Sequence, residues 1–419
     1  MKPRDLSMTL PKLLILGSGW GSYSLLNVIS KTAYRVVVLS PRNHFLFTPL
    51  LASTTVGTLE FRSIIEPIRN IGFRHSEDFH LGYAESWDMD KRTVQCRSKL
   101  TPEMTYELEY DKLVIGVGAT ANTWGIPGVL EHAFFLKEIS DARRIRERLL
   151  TNMEKALELE EASDTLLHIV IVGGGPTGVE FGAELYDFVR QDIARLYPKQ
   201  QRLVDVTLVE SGEILGSFDA HLRSYAEKKM RSRKGFHLVK GSVKEVKAES
   251  VLLEDGTEMA CSLCVWSTGL APHQFVQDTN VAKNTHGQIL TDRSLRVLSD
   301  PSGSSFAIGD CADISGYPLP CTAQVAERQG RWLADELERM AFNRSKADAQ
   351  FSFRNLGMLA YIGGYQGLTD LPDLKIKGWT SWFLWRSAYL TRLGSWRLRM
   401  QVPLDWLKTL IFGRDTSRF

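Results

Sequence analysis

The sequence contains no apolar run that approaches the roughly 20 residues of a membrane-spanning helix. It also lacks a large excess of charge, since 51 Lys and Arg residues stand against 49 Asp and Glu residues, a net charge of +2. The first absence predicts that the chain does not cross a membrane. The second gives no reason to expect nucleic acid as a partner. With 43% hydrophobic and 24% charged residues over 419 positions, the composition predicts a folded protein of two or three domains.

Cysteine is scarce as well. The five cysteines are scattered along the chain: Cys96, Cys261, Cys264, Cys311 and Cys321. An odd, scattered set argues against a disulfide framework and for a reducing compartment. Cys261 and Cys264 have the CxxC spacing of redox or metal sites, but they run into an apolar strand and no second pair follows. We interpret this pair as structural, and we predict no metal site.

The N-terminal stretch MKPRDLSMTLPKLLILG has few basic residues before the first predicted strand. It is too short to be a signal or transit peptide, although a presequence could precede it.

The first glycine motif is KLLILGSGWGS, residues 12–22. An apolar strand meets glycines at 17, 19 and 21, and a helical pattern follows. Gly17 permits a tight turn, and Gly19 lets backbone amides approach a pyrophosphate at the helix N-terminus. Ser22 occupies the third fingerprint position and is small enough for close packing. The next strand ends at Ser40 without the usual acidic residue, so another group must contact the ribose. A simple strand–helix turn remains the alternative.

The second motif is IVIVGGGPTGVE, residues 169–180, with Gly173, Gly175 and Gly178 in full GxGxxG register. The following strand ends on Glu210, an acidic partner for ribose hydroxyls that would repel the 2′-phosphate of NADPH. The motif therefore favours NADH. Two fingerprints 156 residues apart predict two nucleotide-binding domains.

A third signal is SSFAIGDCAD, residues 304–313. Asp310 follows a strand there and could bind the ribitol hydroxyls of a flavin, although an aspartate in an ordinary turn would look the same. Two further apolar strands end in glycine, in residues 110–120 and 262–270. This pattern is expected where the chain passes between two nucleotide-binding domains.

The order of these motifs resembles the two-dinucleotide-binding-domain flavoproteins. FLFTPLL, SIIEPIR, GGGPTGVE, TAQVAERQG and LGMLAYIGG narrow the resemblance to type II NADH:quinone oxidoreductases of the eukaryotic mitochondrial branch. The resemblance implies an α/β fold with two Rossmann-like domains and a C-terminal amphipathic helical membrane-anchoring segment. It also implies hydride transfer from NADH to FAD and reduction of ubiquinone. Because no segment is long and apolar enough to span a bilayer, we expect no proton pumping. The expected location is the mitochondrial inner membrane, bound peripherally.

The resemblance also implies domain boundaries. We expect a discontinuous FAD-binding domain in residues 8–160 and 292–355, and an NADH-binding domain in residues 161–291. Residues 356–419 would form the membrane-associating segment.

Residues that match the family's motifs form the expected site. The cofactor-binding set is Gly17, Ser18, Gly19, Trp20, Gly21, Ser40, Arg42, Thr48, Asp310, Gly173, Gly174, Gly175, Pro176, Thr177, Glu210, Gly269 and Ala323. Glu180 resembles a glutamate near the nicotinamide, although a helix N-terminal acid favoured by the helix dipole is the alternative. Gln324 would face the flavin edge and contact quinone. Arg328 stands where the family often has a second glutamine, and we expect it on a solvated face.

Disulfide reductases of this architecture carry a cysteine pair after the first helix. The first cysteine here is Cys96, so the electron acceptor is not expected to be a disulfide.

The C-terminal 45 residues mix tryptophan with positive charge. Residues 375–419 hold nine Lys and Arg against two acids, and five of the ten tryptophans. Tryptophan favours the bilayer interface, and Lys and Arg can reach lipid headgroups. We therefore expect residues 376–419 to bind a membrane surface. A dimer interface or a helical lid would also suit these features, and we expect a homodimer.

Two other functions share both nucleotide domains. One is a soluble NAD(P)H flavoprotein that passes electrons to an iron–sulfur or ferredoxin partner. The other is a redox-sensing interaction protein.

Overall fold

The computed structural model describes residues 10–158, 164–346 and 348–417. The chain folds as two compact units. Unit 1 contains the described residues of Met1–Leu46, Glu66–Thr120 and Leu270–Arg354, and unit 2 contains those of Phe47–Ile65, Ala121–Gly269 and Asn355–Phe419. Eleven α-helices occur in the described part of the chain. They are α1 Trp20–Val28, α2 Leu51–Thr55, α3 Val129–His132, α4 Ile139–Glu158, α5 Pro176–Phe188, α6 Ala194–Leu196, α7 Ala220–Arg231, α8 Gln274–Asp278, α9 Ala323–Ala341, α10 Trp379–Arg392 and α11 Trp396–Phe412.

Unit 1 is built on a seven-stranded sheet. In spatial order its strands are Ser305–Ala307, Lys112–Ile115, Lys12–Leu16, Arg35–Ser40, Phe79–Asp88, Thr93–Ser98 and Thr105–Glu109. The first five are parallel, and the last two extend the sheet as antiparallel strands. Four of the parallel strands, Ser305–Ala307, Lys112–Ile115, Lys12–Leu16 and Arg35–Ser40, are mostly apolar and almost fully buried, as a sheet covered by helices requires. The fifth, Phe79–Asp88, is more polar and partly exposed. Side chains of these strands form one core with members such as Leu14, Val37 and Ile115.

Unit 2 has its own five-stranded parallel sheet. In spatial order the strands are Phe134–Phe135, Leu263–Trp266, His168–Val172, Asp205–Glu210 and Phe236–Lys240. A three-stranded antiparallel sheet follows, with Val243–Val246, Ser250–Leu253 and Glu258–Ala260. Trp266 and valines of both sheets share a core. Each unit thus carries a Rossmann-like sheet, which confirms the predicted fold class.

The C-terminal part of unit 2 begins with a sheet that the sequence analysis did not predict. Strands Met358–Gly363, Gln366–Leu371 and Leu374–Gly378 form an antiparallel meander, and the helices α10 and α11 follow. The helical part of the predicted segment 356–419 therefore starts at Trp379. Within the described residues, every helix is too short or too polar to cross a bilayer.

Shorter strands complete the two units. Ile289–Thr291 pairs in parallel with Ala312–Ile314 in unit 1. The others are His44–Leu46, Ile65–Pro67, Ala119–Ala121 and Leu270–Pro272.

The units divide the chain at other residues than the predicted domains do. Segments 47–65 and 121–158 belong to unit 2, and residues 270–291 belong to unit 1. The predicted start at residue 8 and the predicted boundary between 160 and 161 lie outside the described residues. Which nucleotide each unit binds stays a prediction.

Candidate functional site

The first glycine turn joins the strand Lys12–Leu16 to α1 in unit 1. Gly17 has φ +99°, and a Cβ atom there would lie 2.4 Å from the Gly116 carbonyl oxygen. A Cβ atom at Gly21 would lie 2.9 Å from Cδ1 of Ile308. Gly19 differs, because its nearest neighbour would be Nη2 of Arg42 at 3.8 Å. Packing therefore requires the outer two glycines. Gly19 has only the Arg42 guanidinium group near its Cβ position, at the N-terminus of a helix where a pyrophosphate can bind.

Three predicted residues form a polar cluster beside this turn. The hydroxyl groups of Ser18 and Ser40 are 2.9 Å apart, and both side chains are buried. Arg42 donates from Nε to Oγ of Ser18 over 3.3 Å. The turn therefore has a guanidinium group beside it, where many dinucleotide sites have a carboxylate after the second strand. A cation at this place suits the phosphates of a dinucleotide.

Ser22 and Trp20 pack the start of α1. The hydroxyl group of Ser22 lies 3.5 Å from the Gly116 carbonyl oxygen, so the small residue at the third position permits close contact between helix and strand. The Trp20 ring meets the edge of Phe45 at 5.0 Å between centroids. Thr48 lies elsewhere in the fold, at the first residue of a 3₁₀ turn in unit 2.

The turn Gly309–Cys311 contains the predicted flavin ligand Asp310, which is half-buried. Gly309 has φ +73°, and its amide donates to Oε1 of Gln329 over 2.7 Å. Gln329 lies on α9 and is 4% exposed. The side chain of Gln288 donates to the Asp310 carbonyl oxygen over 3.0 Å. Two glutamine side chains thus fix the backbone on either side of Asp310. Gln329 and Gln288 are not among the site residues predicted from the sequence.

Replacing Gln329 with leucine should accelerate the release of FAD. The substitution would leave the Gly309 amide without its acceptor, at a cost of about 1–2 kcal/mol, which corresponds to roughly 5- to 30-fold in the dissociation rate. Gln329→Glu keeps an acceptor oxygen at the same place and serves as the control. The rate is measured from the recovery of flavin fluorescence after dilution. An unchanged rate in the leucine variant would mean that this turn does not hold the flavin.

Helix α9 begins at the predicted residues Ala323 and Gln324. Its N-cap is Thr322, whose hydroxyl oxygen accepts from the Val325 amide over 3.3 Å. Gln324 is half-buried in the first turn of the helix. Arg328 is also half-buried, and its guanidinium group lies 6.0 Å from the centre of the Phe353 ring. The expectation of a solvated position for Arg328 is therefore only partly met.

The second glycine turn joins the strand His168–Val172 to α5 in unit 2. A Cβ atom at Gly173 would lie 2.6 Å from the Ser267 carbonyl oxygen, and one at Gly178 would lie 2.0 Å from the Gly173 carbonyl oxygen. A Cβ atom at Gly175, the N-cap of α5, would meet nothing within 4 Å. As in unit 1, the outer glycines are tightly packed and the middle one has no backbone atom near its Cβ position.

Glu210 lies at the end of its strand and closes this turn. Its carboxylate accepts from the Gly174 amide over 2.6 Å and from the Gly212 amide over 2.7 Å. A negative charge therefore lies directly at the glycine turn, where it would oppose a further phosphate on the ribose.

The remaining predicted residues of unit 2 differ in their surroundings. Pro176 and Thr177 are exposed at the start of α5, beside the open space at Gly175. Gly269 has φ +45°, and a Cβ atom there would lie 3.0 Å from the Trp124 ring. Trp124 itself donates from Nε1 to Oγ1 of Thr268 over 3.2 Å.

Glu180 is the fifth residue of α5, beyond the first turn, and its side chain is buried. Its Oε1 atom accepts from the Tyr361 amide over 3.0 Å and from the Trp385 indole over 3.3 Å. Burial raises the pKa of this carboxyl group to about 8, against hydrogen bonds that lower it. Glu180 is therefore not an acid in the first turn of the helix, which was the alternative to a role near the nicotinamide. The carboxyl group can change its protonation near neutral pH.

Helix α5 carries further buried acids that the sequence analysis did not assign. Glu184 and Asp187 follow Glu180 at spacings of four and three residues, so all three lie on one helical face. Glu184 accepts from Ser53 and Thr58, and Asp187 accepts from the Gly364 amide and the Tyr361 hydroxyl. In the sequence, three acids on one face of an otherwise apolar helix indicate that this face makes buried polar contacts.

The C-terminal tryptophans divide into packed and exposed residues. Trp385 contacts Glu180, and the guanidinium group of Arg386 lies between the rings of Trp382 and Trp406, 4.3 Å from each centre. Trp379 and Trp396 are exposed. Several tryptophan and arginine residues of this segment therefore make contacts within the protein.

Most of the C-terminal cations also have partners inside the protein. Lys375 pairs with Asp370, and Lys408 pairs with Glu60. Arg397 and Arg399 donate to backbone carbonyl oxygens, Lys377 lies over the Tyr225 ring, and Arg414 pairs with Asp192. Arg418 lies outside the described residues. Most of these positive charges are therefore engaged within the protein, and few could interact only with lipid headgroups.

Helix α11 is apolar on two opposite faces. Leu398, Val402 and Trp406 are buried and lie on one side of the helix. The other face is exposed and consists of Trp396, Met400, Leu404, Leu407 and Ile411. At 100° per residue these five positions lie within an arc of about 80°. Leu410 and Phe412 extend the exposed apolar surface.

The cysteines of the CxxC pair are buried in the core of unit 2. Burial raises the pKa of the Cys261 thiol to about 11 and also raises the pKa of the Cys264 thiol. Protonated, buried thiols are poor nucleophiles and poor metal ligands, which agrees with a structural role.

Two family models match the chain. Residues 11–330 match the model described as pyridine nucleotide-disulphide oxidoreductase, and residues 355–415 match the model described as NDH2 C-terminal domain. The second match covers the meander and helices α10 and α11.

Individual relatives are similar over nearly the whole chain. An internal alternative NAD(P)H-ubiquinone oxidoreductase A1, mitochondrial, of Arabidopsis thaliana is 44% identical, over 97% of this chain and 86% of the relative. A probable NADH dehydrogenase of Dictyostelium discoideum is 43% identical, over 97% and 91%. The solved structure of NDH2 from Plasmodium falciparum in complex with NADH has a TM-score of 0.92 at 26% identity, over 97% and 99%.

Proposed function

Since the chain belongs to the type II NADH dehydrogenases, within the pyridine nucleotide-disulphide oxidoreductase family, we propose that it oxidises NADH and reduces ubiquinone at a membrane surface. The observation that carries this proposal is the pair of glycine turns, one in each unit, each with a middle glycine at which a Cβ atom would meet no backbone atom within 4 Å. The relatives named as NAD(P)H-ubiquinone oxidoreductases support the acceptor. The reaction would proceed without proton pumping.

FAD is the cofactor, and the residues of unit 1 fit it. Gly17, Ser18, Gly19 and Gly21 would hold its pyrophosphate with Arg42 as the cation, and Asp310 would bind the ribitol. Bound FAD supplies the hydride acceptor for NADH and the electron donor for quinone. The protein would position the cofactor, since Gln329 and Gln288 hold the backbone around Asp310. We further propose that Thr48 and Ala323 line the flavin.

NADH would bind at the second turn. Gly173, Gly174 and Gly175 would approach its pyrophosphate, with Pro176 and Thr177 beside it, and Gly269 on the neighbouring strand end. Glu180 would lie near the nicotinamide, held by its bonds to Tyr361 and Trp385.

Replacing Glu210 with glutamine should narrow the preference for NADH over NADPH. Glutamine keeps one acceptor oxygen for the Gly174 amide, loses the second one that the Gly212 amide uses, and removes the charge that would oppose the 2′-phosphate. We expect the NADH/NADPH ratio of kcat/KM to fall about tenfold, which corresponds to about 1.4 kcal/mol. The ratio is measured in steady state with a water-soluble quinone. An unchanged ratio would show that another group selects the nucleotide.

On the acceptor side, we propose that the amide of Gln324 hydrogen-bonds a quinone carbonyl or a flavin oxygen. Its place in the first turn of α9 supports this role, because Gln329 of the same helix accepts from the Gly309 amide, next to Asp310. The position of Arg328 over Phe353 makes it a poor substitute for a second glutamine.

The exposed face of α11 is proposed to lie on a lipid surface. Five exposed apolar side chains within one arc, with Trp396 at one end, fit the interfacial region of a bilayer. Ubiquinone dissolves in the bilayer, so an enzyme at that surface is close to its acceptor. Because most cations of residues 375–417 are engaged within the protein, apolar insertion should contribute more to this binding than attraction to anionic lipid.

The names of the plant relatives support a mitochondrial location, and we propose peripheral binding to the inner membrane. We also propose a homodimer. If the exposed face of α11 were the dimer interface, it would not be available to lipid, and vesicle binding distinguishes the two.

An anaerobic titration tests the proposed function. NADH should bleach the bound flavin rapidly, and a short-chain quinone should restore its absorbance rapidly. A redox-sensing interaction protein would show slow reoxidation by quinone. A soluble reductase that serves an iron–sulfur protein would be reduced by NADH but would not bind vesicles.

A further inference from the structure

A buried ionic cluster ties the C-terminal residues to α5. The side chain of Arg414 is 7% exposed. Its Nη1 atom lies 2.8 Å from Oδ2 of Asp192, and its Nη2 atom lies 3.7 Å from Oε2 of Glu184. Its backbone amide also donates to Oδ1 of Asp192 over 3.0 Å. Gly413, with φ +82°, ends α11 and turns the chain inward to this place.

The same cluster holds segment 47–65. Glu184 accepts from Oγ of Ser53 over 2.6 Å and from Oγ1 of Thr58 over 2.9 Å. Arg414 donates from Nε to the same Thr58 hydroxyl over 2.9 Å. Ser53 and Thr58 are both buried. Segment 47–65 is therefore fixed by Glu184 of α5 and by Arg414, two residues beyond the end of α11.

Helix α11 follows this segment along its length. Thr409 donates to the Thr58 carbonyl oxygen over 3.0 Å, and Asp405 accepts from the Glu60 amide over 3.0 Å. Arg397 donates to the Ile65 carbonyl oxygen over 2.7 Å. The helix whose other face we assign to lipid thus supplies hydrogen-bond partners to segment 47–65 at three places.

The charges of the cluster make it sensitive to the loss of a single partner. Two buried carboxylates, Glu184 and Asp192, share one guanidinium group. Removing that group would take the paired cation from Asp192 and leave Glu184 with only the more distant charge of Arg386, which is unfavourable for buried carboxylates. The segment and the end of α11 would have to move so that water could reach the carboxylates.

We propose that Arg414, Glu184 and Asp192 are positioning residues that hold segment 47–65, and with it Thr48, in the place that quinone reduction requires. This inference rests on the proposed function, in which Thr48 lines the flavin. The Gly173–Gly175 turn and Glu210, which we assign to NADH, make contacts that do not involve Arg414. Glu184 acts on the nearby Glu180, so Arg414 is the member of the cluster whose replacement tests the inference most directly.

Replacing Arg414 with methionine tests the inference. Turnover with a water-soluble quinone, which does not require binding to vesicles, should fall by about 10- to 100-fold, because a small misplacement of a group that positions substrate has an effect of that size. The rate of flavin bleaching by NADH and the KM for NADH should stay within about twofold of the parent, a range set by the error of such comparisons. Arg414→Lys keeps the charge and should recover part of the turnover.

Lys408→Met is the matched control. Lys408 lies on α11 and pairs with Glu60 of the same segment, but this pair is exposed, so the variant should retain parental turnover. Glu184→Gln is a second route to the same result and should lower turnover in the same direction if Arg414→Met fails to fold. Unchanged quinone turnover in both variants would overturn the inference. An equal loss of flavin bleaching and quinone turnover would also overturn it, since that indicates general damage. If the parent itself shows no bleaching by NADH, the proposed function fails instead.

Discussion

Replacing Glu180 with glutamine should stabilise the protein at pH 8 and leave its stability nearly unchanged at pH 5. Burial raises the pKa of Glu180 from 4.5 to about 8, the neighbouring Glu184 charge acts in the same direction, and the bonds from Tyr361 and Trp385 act against it. In the unfolded chain the group has its ordinary pKa. The native state therefore binds more protons than the unfolded state between these two values, and stability falls as pH rises through the window.

Glutamine carries no such penalty and keeps an acceptor for the Tyr361 amide and the Trp385 indole. The difference in free energy of unfolding should grow with pH to at most about 4–5 kcal/mol above pH 8. It is measured from unfolding midpoints of the flavin-loaded protein at pH 5, 6.5 and 8. Glu147, an exposed residue of α4, provides the control Glu147→Gln. A difference of the same size at all three pH values would contradict the prediction.

The local glycine turns could be predicted from sequence because their requirements lie within short stretches of chain. Positive φ at Gly17 and Gly173 and the contacts of the outer glycines are what strand–turn–helix units demand. The fold class and the family follow from two such units in order, and both are confirmed. The assignment of single residues to FAD, NADH or quinone stays a prediction.

Contacts between distant segments could not be predicted in the same way. Gln329 was visible in TAQVAERQG, but only the fold places its side chain 2.7 Å from the Gly309 amide. Likewise, nothing near Arg414 in the sequence indicates that it reaches Glu184 and Asp192. The acidic spacing along α5 predicts a polar face, and tertiary structure alone supplies its partners.

The C-terminal segment shows why composition can mislead about charge. Counting nine cations in residues 375–419 suggests an electrostatic anchor. The structure places Arg386 between two indoles and buries Arg414, so these two charges stabilise the fold. Apolar residues of α11 divide between a buried and an exposed face, and helical periodicity alone cannot say which face is covered.

Binding to vesicles should be lost when Leu404, Leu407 and Ile411 are all replaced by glutamate. These residues lie on the exposed face of α11, so the changes leave the buried face with Leu398, Val402 and Trp406 intact. Full burial of such a side chain is worth about 1.5–3 kcal/mol. Partial insertion of three should still change the partition coefficient by at least about a hundredfold, and added negative charge strengthens the effect. Flotation with neutral and anionic vesicles measures the binding.

A matched variant with three other exposed leucines controls for the added charge. Leu130→Glu, Leu157→Glu and Leu196→Glu introduce the same number of carboxylates outside α10 and α11 and should leave vesicle binding intact. Truncation at Lys375 is a poorer test, because it would also expose Glu180 and remove Arg414.

The α11 variant should keep its turnover with a water-soluble quinone and lose turnover with a long-chain quinone in vesicles. Since most nearby cations have partners within the protein, parental binding should weaken little with added salt. An α11 variant that becomes monomeric and still binds vesicles would assign this face to a dimer interface instead of to lipid.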